Sequence, residues 1–303
     1  MNLLEIKRDL NKSALALLLY VLSVQILAVL LVLLLPLTKI PLLSDQYICM
    51  VISVIISYCL LDNIFPKETV TEPSPEKPSF SVLSFLHYFM LFQAAQWIGG
   101  IINIPIITLF TKLGLNLSFS EEAARGGSLT NAPMLFYTIL VAPLMEELVF
   151  RGIFYRRFRS YGKYFAAFYT AFFFALMHSN FLQFAPAFSM GMILFFIRDR
   201  HGLPYSILLH FSNNLLAIVV NNLSQDSTLI QGIYGGFLLA GMFYGIYFVL
   251  KNRTHFAEDY QYEKEHSLSL KQFFSSPLLW VDIVLMVALA CVSLFVPMDA
   301  GAM

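Results

Sequence analysis

Glu146 and Glu147 stand side by side in the stretch Val141-Ala142-Pro143-Leu144-Met145-Glu146-Glu147-Leu148-Val149-Phe150-Arg151-Gly152. The flanks are apolar enough to place all three ionisable groups inside a membrane, where each costs about 2.5–3.5 kcal/mol to insert. Either a structural ion pair or acid–base chemistry has to justify them. On a helix, neighbouring side chains diverge by about 100°, so the two carboxylates face different partners. Glu147 and Arg151 are four residues apart with the acid on the N-terminal side, the favourable order for an ion pair. Glu146 is left outside that pair and is the candidate general base. Pro143 is expected to bend the helix just before it. For Glu147 and Arg151 alone, a purely structural charge cluster remains an open reading.

Other spans carry groups that could complete such a site. His178 ends Phe174-Ala175-Leu176-Met177-His178, and His210 opens His210-Phe211-Ser212-Asn213-Asn214. His210 and Asn214 share a helix face, which Asn221 continues. Singly, such residues more often make interhelical hydrogen bonds; together with Glu146 they form an acid–base set with a donor amide. Glu146 lies ten residues before Arg156, and His210 ten after Arg200. Both are therefore about 15 Å from the same end and should meet. His178 is nominally about 22 Å from Lys163. Tilt of its helix, or Tyr164 and Phe165 lying at the interface, would absorb that difference.

These residues sit in a chain of 303 residues that is 58% hydrophobic and 13% charged, with mean hydropathy +0.71. That composition excludes an ordinary soluble domain and predicts an all-α, polytopic transmembrane helix bundle. Apolar segments cover about 13–35, 46–65, 84–114, 131–155, 164–181, 184–197, 203–222, 229–250 and 277–297. The count is nine, or eight if 184–197, the weakest, is lost. The first, 23 residues long, reads as an anchor rather than a cleaved signal. With the N-terminus in the cytoplasm, fifteen Lys and Arg fall on that side and three (Lys39, Lys112 and Arg125) on the other. This bias agrees with nine spans. Residues 66–79, with four prolines and alternating charge, predict an extended linker. The organisation expected is a two-span region (1–65), a Pro-rich linker (66–83), a core bundle (84–222) and a C-terminal part with two spans (223–303).

Net charge is zero, and nothing in it suggests a nucleic-acid partner; the bilayer is the expected surroundings. Cys49, Cys59 and Cys291 lie in apolar runs without metal-ligand spacing and read as buried thiols. Gly232, Gly236 and Ala240, and Gly241 with Gly245, recur every four residues and predict a close helix-packing face. Residues 251–276 read as a polar loop, partly at the membrane surface. His87, His201, His255 and His266 read as surface or interface residues.

The set Glu146-Glu147-Leu148-Val149-Phe150-Arg151, Phe174-Ala175-Leu176-Met177-His178 and His210-Phe211-Ser212-Asn213-Asn214 resembles the three motifs of the CAAX-processing and bacteriocin-processing (CPBP, or Abi) intramembrane proteases. That family includes the type II CAAX prenyl endopeptidases. The resemblance covers about residues 130–220. It implies an intramembrane endopeptidase in which Glu146 activates water with a histidine's help. It further implies that His178, His210 and Asn214 belong to the catalytic set, with His210 and Asn214 stabilising the oxyanion. Glu147 and Arg151 would be the supporting pair. The implied substrate is a peptide or protein in or at the membrane, such as a prenylated C-terminus or a leader peptide. The expected setting is a bacterial plasma membrane, spanned several times.

Glu146, His178 and His210 could also form a two-histidine, one-glutamate zinc site. No His-Glu-x-x-His pair is present, and the resembled family is described as glutamate-dependent, so no cofactor is expected. Two other readings compete. A non-enzymatic bacteriocin-immunity or scaffold protein would keep the motifs for packing. A transporter would use them as an acid–base relay, but no inverted repeat supports it.

Overall fold

The computed structural model describes residues 3–65, 78–125, 129–225, 227–266, 268 and 270–295. These residues form helices and no strand. Seven helices are long and apolar enough to cross a membrane. They are α1 (Leu3–Leu34), α2 (Gln46–Ile64), α3 (Val82–Lys112), α5 (Ala132–Tyr161), α7 (Phe181–Arg200), α8 (Leu203–Ser224) and α9 (Thr228–Lys251). Two shorter apolar helices accompany them, α6 (Lys163–Met177) and α11 (Pro277–Ser293). Two polar helices, α4 (Ser118–Arg125) and α10 (Arg253–His266), lie in connections. The segment 251–276, expected as a polar loop, is therefore helical over most of its length. Residues 66–77 of the expected linker and residues 296–303 lie outside the described set.

The segment expected to be weakest, 184–197, is the twenty-residue α7 and the centre of the bundle. Close to half of its apolar window is buried, the largest share of any span. It packs against α3, α6 and α8. Facing protein, it carries Pro186, Ser189 and Arg198 within its length. Small residues let neighbours approach: Gly191 meets Ala171, and Gly99 of α3 lies so close to Pro186 that a Cβ there would be 2.6 Å from its ring. The short element is instead α6. It ends at Met177, and His178, Ser179 and Asn180 turn the chain directly into α7. Ser179 adopts a left-handed conformation, φ 47°. Asn180 caps α7 by accepting from Leu182 and Gln183, and donates to the Ser120 carbonyl. A turn at this depth persists because protein, not lipid, surrounds it and satisfies its backbone.

Ion pairs gather at one end of the bundle. Arg157 pairs with Asp9, Arg156 reaches Asp62 at 4.0 Å, Arg159 binds Asp199 at 2.5 Å and Lys163 binds Asp259 at 2.7 Å. The start of α1 and the ends of α2, α5 and α7 thus meet there, with α6 beginning beside them. The alternation of segments read from the loop charges brings these groups together.

Several local expectations are corrected. Cys49 is buried, but Cys59 and Cys291 are exposed on the helix surface; an apolar run in a membrane helix faces lipid as readily as core. Gly241 and Gly245 do pack closely, with added Cβ atoms 2.4 Å from Gln93 and 2.7 Å from Ala94 on α3. Gly232, Gly235 and Gly236 face open space, and Ala240 is exposed; only the half of α9 that crosses α3 is a packing face. His201 is buried, not at the surface. It makes contact with the Pro78 carbonyl at 3.1 Å and the Tyr88 hydroxyl at 3.2 Å. Phe80 stacks on Tyr205 at 4.3 Å beside it, so the chain entering α3 is pinned to the start of α8. His87 is half-buried against Tyr244, and His255 is exposed as expected.

Candidate active site

The double glutamate lies where α5 departs from regular α geometry. Residues Phe136–Val141 and Leu148–Phe154 are π-helical, and the six-residue α-helical segment between them holds both glutamates. Pro143 lacks an N–H and would crowd the preceding turn. The wider turn just before it relieves that conflict, and π segments of this kind recur at functional sites.

Glu147 and Arg151 are wholly buried and 3.1 Å apart. Arg151 is held further: Nη2 donates to the Gly191 carbonyl at 2.9 Å, and its guanidinium lies over the Phe174 ring at 4.6 Å. Arg198 in turn donates to the Arg151 carbonyl at 3.0 Å. The pair therefore ties α5 to α6 and α7.

His210 connects the two carboxylates. Its Nδ1 is 3.1 Å from Glu147 Oε1, and its Nε2 is 3.6 Å from Glu146 Oε2. A carboxylate that already accepts from Arg151 requires Nδ1 to carry the proton toward Glu147. The 100° step between the glutamates had separated their partners. One imidazole spans it, because its nitrogens project from different edges of the ring. The 3.6 Å contact is too long for a hydrogen bond, so Glu146 is less constrained than Glu147.

Glu146 faces a cavity of 220 Å³, and its side chain keeps 19% of its exposure. His178 and Ser179 line the same cavity. His178 Nδ1 is 2.9 Å from the Phe174 carbonyl. A carbonyl only accepts, so Nδ1 bears the hydrogen and Nε2 is the basic nitrogen. His178, still in helical conformation as the C-cap of α6, reaches the same cavity as Glu146. Asn214 donates from Nδ2 to the Thr138 carbonyl at 3.1 Å, in the first π-helical stretch; its amide has a second N–H. The structure thus brings Glu146 and His178 into one cavity, His210 to the carboxylate from behind, and Asn214 against the same helix.

Other contributors were not singled out beforehand. Phe174, present only as a motif letter, is the hub: besides Arg151, its ring meets His178 at 5.1 Å and His210 at 5.6 Å. Tyr20 of α1 and Tyr137 of α5 line the cavity. An aromatic residue in an apolar span carries no local signal that would set it apart. Asn213, adjacent to Asn214, is buried and accepts from Gln96 of α3 at 3.0 Å, so the two asparagines bind different neighbours.

Among the described residues no three His, Cys, Asp or Glu side chains are grouped to hold a metal ion. Residues 128–216 match the family model described as type II CAAX prenyl endopeptidase Rce1-like, a family of membrane proteases that accords with the CPBP resemblance. The match contains all seven motif residues and leaves α1, α2 and α3 outside it. No curated protein and no solved structure matches the chain.

Proposed function

We propose that the protein is an intramembrane endopeptidase in which Glu146 activates water. The observation that carries this reading is the shared cavity: Glu146 and His178 face one space, while Glu147 is sealed in an ion pair behind it. In this mechanism Glu146 accepts a proton from water as the oxygen attacks a peptide carbonyl. His178 Nε2 is the histidine that helps to orient the water. His210, anchored through Nδ1 to Glu147, holds Nε2 beside Glu146, 3.6 Å from its carboxylate. The second amide N–H of Asn214 stabilises the oxyanion, and His210 joins it only when Nε2 as well as Nδ1 carries a hydrogen. Glu146, now protonated, returns the proton to the leaving amine. No metal takes part, and the substrate is a peptide or protein segment in or at a bacterial plasma membrane, entering laterally or from the cytoplasm.

Purified protein with Glu146→Gln or His178→Ala is expected to lose peptide cleavage while inserting and accumulating as wild type does. Accumulated precursors in cells carrying Glu146→Ala, compared with wild type by proteomics, would identify the substrate. A phenotype untouched by Glu146→Gln would sink the protease reading and favour a scaffold or immunity role.

A further inference from the structure

The cavity beside Glu146 is walled in large part by helices outside the matched residues. Tyr20 and Val24, one turn apart on α1, and Met50 and Val54, one turn apart on α2, face it from one side. Met145 and Met177 face it from α5 and α6. Helix arithmetic puts these groups at one level. Tyr20 is eleven residues beyond Asp9, and Glu146 eleven before Arg157, the partner of Asp9; both are about 16 Å from the paired ends. Val54 is eight residues before Asp62, about 12 Å from them, and Met50 one turn further.

We propose that this cavity receives one apolar side chain of the substrate next to the scissile bond, and that α1 and α2 decide which side chain fits. The inference rests on reading Glu146 as the water-activating base. A carbonyl attacked by water on Glu146 has to lie at this cavity, and the neighbouring side chain has to occupy it. Apart from the tyrosines, Glu146 and His178 are the ionisable groups of the lining, so a charged side chain would be desolvated without a dedicated partner. At 220 Å³ the space is below the usual range for a whole small ligand and suits a single residue. Its methionines are unbranched and polarizable, able to mould around differing apolar shapes.

The test uses short peptides differing only at one position beside the cleaved bond (Ala, Leu, Met, Phe or Trp). Cleavage is measured for the detergent-solubilised wild type and for Val54→Phe, Met50→Trp and Met50→Ala. The same peptides, fluorescently labelled, are titrated onto these cavity variants in a Glu146→Gln background, where binding is read without turnover. Ile233→Phe, on the exposed face of α9, serves as the control. The filling variants should lose kcat/KM for Phe and Trp peptides by about tenfold or more while keeping the Ala peptide within about twofold. Met50→Ala should move the optimum toward larger residues, and binding should follow the same order. Preferences unmoved by all three variants, or all peptides weakened alike, would overturn the subsite. Should a filling variant fail to accumulate, Met50→Ala alone decides. Side-chain-dependent binding without cleavage by wild type would defeat the protease reading and keep the subsite. Cleavage with unmoved preference would do the reverse, and neither binding nor cleavage of any peptide would defeat both.

Discussion

At the residue scale the two glutamates differ by what surrounds them. Glu147 is buried in a lattice of Arg151, His210, Gly191 and Phe174, whereas Glu146 opens to a cavity. Removing one member of a buried pair strands the other, at a cost of about 3–5 kcal/mol. Arg151→Met is therefore expected to lower the thermal inactivation temperature and the amount of folded protein sharply. Glu146→Gln should leave both near wild type, and thermal scans of the two variants in detergent check this. If Glu146 works without a metal, a chelator will leave cleavage by purified protein intact; activity lost to the chelator and regained with zinc would revive the zinc reading of Glu146, His178 and His210. The Glu147–Arg151 pair was legible because both members lie on one helix four residues apart. The bridging by His210 was not, since it depends on how α8 is rotated against α5.

Among the elements, α7 supplies the contrast between hydropathy and position. Its apolar run, the shortest of the nine, suggested a doubtful span, yet it is the helix that the others surround. Lipid-facing helices need continuous hydrophobicity; a helix lined by protein tolerates Arg198 and Pro186. The packing of α9 on α3 gives a sharper trial. A Cβ at Gly241 would meet the Cβ of Gln93 at 2.4 Å, while one at Gly236 meets nothing within 4 Å. Gly241→Ala should cost about 1–3 kcal/mol by overpacking and Gly236→Ala far less, as read from the temperature at which each variant aggregates. The repeating small residues announced a packing face but not its extent, because where α9 crosses α3 is a tertiary property.

On the scale of the whole molecule, ion pairs link several helices at one end. Near that end His201 pins the segment around Pro78 and Phe80 to the start of α8. Burial lowers the His201 pKa below the usual 6.5; the Pro78 carbonyl pulls it up and Arg200 pushes it down, and burial prevails. A depressed imidazole resists the proton more when docked than when released. Docking is thus full above about pH 6.5 and weakens as pH falls through that value toward the lower one. Once corrected for the intrinsic pH dependence of amide exchange, the protection of residues 79–85 should fall from pH 7 to pH 5 in wild type and lose that dependence in His201→Gln. The loop-charge bias predicts that this end lies in the cytoplasm. Cysteines substituted for Ser44 and Glu258 in oriented vesicles should then be labelled from opposite sides by an impermeant maleimide, once Cys49, Cys59 and Cys291 are replaced.

The all-helical membrane class, the positions of the apolar segments, the Glu147–Arg151 pair and the candidate motif residues could all be read from the sequence alone. Each depends on hydropathy, on helical spacing or on short motifs, properties of neighbours along the chain. The tertiary structure decided that α7 is central, that His210 touches both glutamates, that the end of α6 brings His178 to the cavity of Glu146, and that Tyr20, Met50 and Val54 share that cavity. Those facts depend on the rotation and crossing of helices far apart in sequence. An apolar helix shows lipid and protein much the same side chains, so its pattern does not disclose which face meets which partner.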